Sequence, residues 1–213
     1  MRSRRFFKGE GWDGLSAVAF PPEADPPLAE AKVGGLQFSF LLHPSSFPLS
    51  SVLMDIKFYS TTLGKISTER MIEEIGVFAK KDPHRYYKII VGTDSQATAY
   101  SSLVTAVTIW RVGNGAIHFW TRSPEKRFGS MQDRIWQEAI ASITLAQELR
   151  DRLNTALGHD FFWDGNEIHV DIGEKGPTQK LIDGIVGMIK GHDLTPVIKP
   201  YAFGASIVAD RHT

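Results

Sequence analysis

Four carboxylates in four separate segments, Asp94, Glu138, Asp171 and Asp210, are the side chains of this sequence whose types and placing could do chemistry. Two share a construction. Lys88-Ile89-Ile90-Val91-Gly92-Thr93-Asp94 and Glu167-Ile168-His169-Val170-Asp171 are β-forming apolar runs that stop on an aspartate, where a buried strand leaves the core. Glu138 lies early in a long helical stretch and flanks its apolar stripe, and Asp210 stands in the last element beside Arg211 and His212. Hard cations such as Mg²⁺ or Mn²⁺ take oxygen ligands, and a pair of ions about 4 Å apart stabilises both the attacking and the leaving oxygen in phosphoryl chemistry. Carboxylates that converge from separate elements on one sheet edge would suit it. Three of the acids also have a plain structural reading: Asp94 before Ser95 suits a turn or cap, Asp171 before Ile172-Gly173 suits a strand end, and Glu138 suits a solvated helix face.

The elements that must position these acids can be read from periodicity. Ser67 or Thr68 caps a helix whose apolar face is Met71, Ile72, Ile75, Phe78 and Ala79, and Asp82-Pro83 stops it. Tyr87 to Asp94 reads as a first strand. Leu103 to Val112 is a second, apolar on both faces and therefore central. Asn114-Gly115 signals a hairpin to a third strand, Ala116 to Arg122. A long helix from about Ser130 to Leu157 carries the stripe Ile135, Ala139, Ile143, Ala146, Leu149 and Leu153. Glu167 to Ile172 is a fourth strand, Thr178 to Lys190 a further helix, Pro196 to Lys199 a short fifth strand, and Phe203 to Asp210 a closing helical turn or two. Three meandering strands followed by two crossover units predict an α/β mixed sheet flanked by helices. Strands one and four, as parallel neighbours, would bring Asp94 and Asp171 to one edge.

Composition excludes several classes. Lysine and arginine total 24, matching 24 aspartates and glutamates, so any nucleic-acid contact must come from a local basic patch. Cysteine is absent, which removes disulfides, thiolate zinc sites and cysteine nucleophiles. No apolar run reaches the roughly 20 residues of a membrane span, and no signal peptide is evident. The expectation is a cytoplasmic protein without membrane association. The seven histidines form no ligand motif; His169 reads as a packed strand residue and His212 as part of a frayed end. Trp110, Phe119, Trp120 and Trp136 read as core or rim, with base stacking as an alternative for one of them.

Residues 1–53 differ from the rest. They hold six of the eleven prolines (Pro21, Pro22, Pro26, Pro27, Pro44 and Pro48) and show no sustained period. They read as a poorly ordered extension, or else Met54 is the true start; residues 54–213 form the predicted domain.

Three blocks carry a family resemblance. Val91-Gly92-Thr93-Asp94-Ser95-Gln96, His169-Val170-Asp171-Ile172-Gly173-Glu174-Lys175-Gly176, and Ile198-Lys199-Pro200 through Ala209-Asp210-Arg211 resemble the bacterial YkuK-like family, which is regarded as ribonuclease H-like. The resemblance implies a five-stranded mixed sheet of order 3-2-1-4-5, strand two antiparallel, with Asp94, Glu138, Asp171 and Asp210 as catalytic and metal-binding acids. It implies Mg²⁺ or Mn²⁺ as cofactor, nucleic acid as partner and phosphodiester hydrolysis as the activity. Ser95, Gln96, Lys175 and Lys199 are the expected substrate contacts. Lys175 lies in the Gly- and Pro-bearing loop opening a helix, where free N–H groups attract phosphate, although no P-loop is present. Lys199 and Arg211 would either contact a phosphate backbone or neutralise the acids. Asp133, near the helix start, and Glu148, ten residues beyond Glu138, are poorly placed to replace Glu138. The rival reading is a catalytically silent nucleic-acid-binding or scaffold protein of the same fold. An actin-like kinase would need two copies of the core, and one copy fits here.

Overall fold

The predicted apolar runs become strands and helices largely where their periodicity puts them. The structure, a computed structural model, describes residues 56–158 and 166–213; the extension expected over residues 1–53 lies outside the described residues. The chain opens with a hairpin, β1 (Lys57–Ser60) and β2 (Gly64–Ser67), and then α1 (Thr68–Lys80). β3 (Tyr87–Asp94), β5 (Val104–Arg111) and β6 (Ala116–Arg122) form an antiparallel meander. β4 (Tyr100–Ser101) and β7 (Lys126–Arg127) pair as a small separate ribbon. The crossover helix α2 (Met131–Leu157) leads to β8 (Asn166–His169). The helix α3 (Ile182–Gly191), preceded by a 3₁₀ turn, leads to β9 (Thr195–Val197). A π-helical segment, Gly204–Ala209, and a 3₁₀ turn, Asp210–His212, close the chain.

Among the described residues the main sheet has seven strands in the order β2-β1-β6-β5-β3-β8-β9. Its inner five strands are the expected 3-2-1-4-5 arrangement, with β5 antiparallel and β8 and β9 parallel to β3. The expectation of five strands is corrected to seven. The β1–β2 hairpin extends the β6 edge through a single pairing of Tyr59 with Trp120. Four-residue strands of which only Phe58 and Ser60 are buried leave too little apolar alternation to read.

The helices begin where their caps dictate. Ser67 Oγ accepts the Arg70 N–H at 3.2 Å, and Ser130 Oγ accepts the Asp133 N–H at 3.0 Å, each satisfying an orphan donor of the first turn. α1, α2 and α3 all pack on one face of the sheet. Met71 and Ile75, the whole predicted stripe of α2, and Ile185 and Ile189 bury against Ile89, Val91, Val107, Ile109 and Ile168. Each isoleucine, leucine or methionine among them contributes roughly 1.5–3 kcal/mol through burial. Thr93 Oγ1, at 2.7 Å from Ser142 Oγ, ties β3 to α2 through a buried hydroxyl pair. Arg111 is buried too: it donates to Tyr87 Oη at 3.0 Å and to the Phe78 carbonyl at 2.8 Å, capping the end of α1, and it stacks on the Phe78 ring.

The opposite face is covered by the C-terminal segment. Ala106, Val208 and Ala209 form a small second core with Trp120 against it. Gly204 makes the closest approach. A Cβ there would stand 2.7 Å from Ile90 Cγ2, so only glycine lets the segment lie this near the sheet. Its N–H donates to Nδ1 of the fully buried His169 at 3.0 Å. The other ring nitrogen of His169 is therefore the donor, and it meets Glu167 Oε2 at 3.1 Å. Lys88 completes the group 3.1 Å from Glu167 Oε1.

Candidate metal centre

β3 and β8 are parallel with Val91 opposite Ile168 and Gly92 opposite His169. Continued by two residues on each chain, this register leads to Asp94 beside Asp171. Both strands end here: β3 stops at Asp94, and β8 has stopped at His169 while the chain runs on to Asp171. Asp94 is half-buried, and its carboxyl is pushed up to about 6, first by burial and then by the negative charges of Asp210 and Asp171; the Ser95 backbone and Arg134 oppose the rise. The two strand aspartates and the C-terminal aspartate therefore share one electrostatic neighbourhood.

Glu138 reaches the same edge from the second turn of α2. Buried beneath the loop that follows β3, it accepts a hydrogen bond from Ser95 Oγ at 2.6 Å. Its carboxyl is pushed up to about 7 by burial, with Asp94 and Asp171 adding to the rise and Ser95 and Arg134 opposing it. Arg134, one turn earlier on the helix, donates to Glu138 Oε1 at 3.2 Å and to the Ser95 carbonyl at 2.8 Å. Sequence reading passed over Arg134, although its i,i+4 spacing to Glu138 was a usable signal. Ser95, expected at the substrate, has its hydroxyl committed to Glu138.

Asp210 is exposed at the start of the closing 3₁₀ turn, and the turn is anchored rather than frayed. The His212 ring lies flat on Trp120, with centroids 3.6 Å apart and planes within 2°. Arg122 donates to the His212 carbonyl, and to the Thr213 carbonyl at 3.2 Å. Gln96 Nε2 donates to that same Thr213 oxygen at 3.4 Å, so Gln96 ties the loop after Asp94 to the segment that carries Asp210. Trp120 and His212 lie far apart in the chain, so no sequence period links them and they are legible as a pair only in three dimensions.

Of the two expected lysines, Lys199 is drawn into the site and Lys175 stays on its margin. Lys199 Nζ lies 2.8 Å from Asp171 Oδ1. The contact is ionic and off the hydrogen-bond direction: Oδ1 is shielded from solvent and makes no hydrogen bond. Gly173 makes room for it, since a Cβ there would come within 3.2 Å of Lys199 Cβ. Lys175 is exposed on the loop between Asp171 and α3, and Arg211 is exposed next to Asp210.

The donors suit a hard divalent ion. They are all carboxylate oxygens, they depress one another's ionisation, and Asp171 presents a shielded oxygen without a hydrogen bond. They form an open edge rather than a closed cage. Among the described residues no three histidine, cysteine, aspartate or glutamate side chains are drawn close enough to enclose an ion. Among the described residues, also, no helix is long and apolar enough to cross a membrane.

Comparison with known proteins agrees with this architecture. A family model described as ribonuclease H-like matches residues 70–213, which takes in most of α1, the meander and all four acids. A Bacillus subtilis (strain 168) protein named "Uncharacterized protein YkuK" is 31% identical over 168 residues, covering 73% of this chain and 96% of that relative. No solved structure matches. The fold is thus nuclease-like or nucleic-acid-binding in type, and the match over the sheet, its crossover helix and its C-terminal segment means that the chain belongs to the ribonuclease H-like family, alongside YkuK.

Proposed function

We propose that this protein is a divalent-metal-dependent nuclease that hydrolyses phosphodiester bonds of nucleic acid at the edge bearing Asp94, Glu138, Asp171 and Asp210. The observation that carries the reading is the gathering of four carboxylates from four elements around Asp94, where burial and like charge hold its carboxyl up to about 6. Like charges at a half-buried edge cost stability, and such arrangements cluster at functional sites. Asp94 and Asp171 would hold Mg²⁺ or Mn²⁺, with Glu138 and Asp210 completing the oxygen surroundings. When bound, the metal supplies positive charge that polarises the phosphate and acidifies water.

The chain's own groups have distinct tasks. Glu138, with a carboxyl near 7 in the metal-free protein, would give up its proton as the ion binds, so metal affinity should rise with pH. Ser95 positions it, and Arg134 keeps its charge partly compensated. Gln96 orients the C-terminal segment that brings Asp210 to the edge. Lys175 and Lys199 would steady the phosphate backbone, Lys199 by leaving Asp171 when a metal arrives.

A screen for Mn²⁺-dependent cleavage of single-stranded, duplex, hybrid and branched substrates tests the reading. The wild-type chain should cut at least one of them, and Asp94→Asn should abolish turnover without altering the fold seen by circular dichroism. Unchanged turnover in Asp94→Asn would falsify the assignment. One observation favours a second reading, a silent nucleic-acid-binding protein: Lys199 and Arg134 already neutralise Asp171 and Glu138 without metal. Calorimetric titration with Mn²⁺ separates the two, because a scaffold has no need to bind it.

A further inference from the structure

The two most exposed large hydrophobic side chains among the described residues, Tyr100 at 61% and Tyr201 at 56%, stand on either side of the acidic edge. A single exposed ring is ordinary on a protein surface. Two rings that bracket a set of acids, each with a cation close by, make a pattern. Among the described residues neither ring stacks on another, and neither hydroxyl makes a hydrogen bond.

Tyr100 lies on the β4–β7 ribbon, directly opposite Arg127. Asp94 ends β3 opposite Val104, the first residue of β5, so β4, which precedes β5, runs on past the aspartate. The loop after Asp94 folds onto the ribbon: the Gln96 N–H donates to Ser101 Oγ at 3.1 Å. Lys126, opposite Ser101, turns to α2 and donates to Gln137 at 3.0 Å. Alternation along the paired strands puts Tyr100 and Arg127 on the ribbon's other face, away from α2. Asp94 lies on that side of the sheet as well, because its neighbour Thr93 meets Ser142 of α2. Arg127 is exposed and makes no salt bridge among the described residues. Across the edge, Tyr201 follows β9. The Lys199 N–H donates to the Ile172 carbonyl at 2.9 Å, and the Lys199 ammonium lies 2.8 Å from Asp171. The Tyr201 N–H donates to the Ile198 carbonyl at 2.9 Å, which closes the turn beside that aspartate. In the order β5-β3-β8-β9 the strands that lead to Asp94 and Asp171 are the inner two, and the outer two are about 14 Å apart.

We infer that Tyr100 and Tyr201 are stacking platforms for unpaired bases of a single-stranded nucleic acid that crosses the acidic edge, with Arg127 and Lys199 holding its phosphates. The inference rests on the reading of the acidic edge as a nucleic-acid site, and it names the substrate class. A tyrosine reaches the face of a base only where the strand is unpaired, because in a duplex each face is covered by the neighbouring pair. Charge favours the same occupant: a polyanionic backbone complements the cation near each ring, whereas an apolar protein partner has no use for either.

The test reads binding, not cleavage. The full chain carrying Asp94→Asn is titrated with Mg²⁺ present against fluorescein-labelled oligothymidylate and a blunt duplex, followed by anisotropy. The single strand should bind more tightly than the duplex. Tyr100→Ala and Tyr201→Ala should each weaken single-strand binding by about tenfold, the loss of one stacked base, and Tyr100→Phe and Tyr201→Phe should keep it. Duplex binding should not move. Arg127→Ala should flatten the slope of log affinity against log salt by about 0.7, the share of one phosphate on a single strand. All three positions are exposed, and unchanged thermal unfolding checks that each variant is folded. Affinity unmoved by either alanine substitution, phenylalanine that fails to preserve it, a duplex preferred over the single strand, or a parent protein that ignores the strand and leaves the rings to a protein partner, would each overturn the inference. The nuclease reading is judged apart from it. Turnover surviving in Asp94→Asn sinks that reading and leaves these affinities standing, whereas metal-dependent cleavage with rings that do not affect binding sinks the inference alone.

Discussion

The hydroxyl of Ser95 donates to Oε1 of Glu138 at 2.6 Å, so the residue that follows the strand aspartate holds the helix glutamate. Two acids on different elements are thereby coupled through one side chain. A hydrogen bond to an ionised carboxylate favours its charged form. Ser95→Ala should therefore raise the Glu138 carboxyl above about 7. The expected outcome is a shift of the Glu138 titration in the metal-free protein toward alkali by about one pH unit, equivalent to about 1.4 kcal/mol. Carboxyl NMR of the metal-free protein reads the same shift without any turnover. An unmoved Glu138 resonance would mean that the bond does not govern its ionisation.

The same burial makes stability depend on pH. Glu138 moves from an ordinary 4.5 to about 7 on folding, so the folded state favours its protonated form. The resulting stability is complete below pH 4.5 and is lost as pH rises through 7. Asp94 acts in the same direction between 3.8 and about 6, to a smaller extent because it is partly solvated. Relative to Glu138→Gln, the wild-type protein should lose on the order of 3 kcal/mol between pH 4.5 and 7, measured by urea denaturation across the range. Saturating Mg²⁺ at pH 7 should restore much of it, because the ion binds the folded state alone. A pH-independent difference between the two proteins would contradict the account.

Gly204 sets how closely the C-terminal segment lies on the sheet. Gly204→Ala brings a methyl within 2.7 Å of Ile90 Cγ2 and within 3.2 Å of the His169 ring. Overpacking of this kind costs about 1–3 kcal/mol. Because the segment carries Asp210, the substitution should lower cleavage more than stability alone explains. Guanidinium denaturation and activity, measured well below the unfolding transition, check the two effects together. Full activity in a folded Gly204→Ala protein would show that the placing of Asp210 tolerates the shift.

Lys199 occupies the Asp171 carboxylate that a metal would need. The pair is half-exposed on the lysine side, and such contacts are worth at most about 1 kcal/mol. Lys199→Met should therefore tighten Mn²⁺ binding up to about fivefold by calorimetry, while weakening the affinity for nucleic acid. Weaker Mn²⁺ binding in this variant would mean that Lys199 supports the metal site rather than competing with it.

Much of this was present in the order of the residues. The stripe of α2, the caps Ser67 and Ser130, the Asn114-Gly115 turn and the double-faced apolar run of β5 are local patterns, and local patterns determine local structure. They were enough to order the inner five strands and to bring Asp94 and Asp171 to one edge, because two parallel neighbours, one ending on an aspartate and one leading into an aspartate two residues later, have little freedom in where those acids lie. The β1–β2 hairpin was not legible, since its strands are short and owe their pairing to the exposed edge of β6.

The sequence by itself determined which acids exist, which elements carry them and how the strands are ordered. Only the tertiary structure decided which groups act on those acids. Ser95 turns inward to Glu138, Arg134 and Lys199 share out the negative charge, and His212 docks on Trp120 to hold the end of the chain that carries Asp210. The physical reason is range. Propensity and periodicity act over a few residues, whereas carboxyl ionisation, ion pairing and concavity depend on distances through space that the fold alone sets.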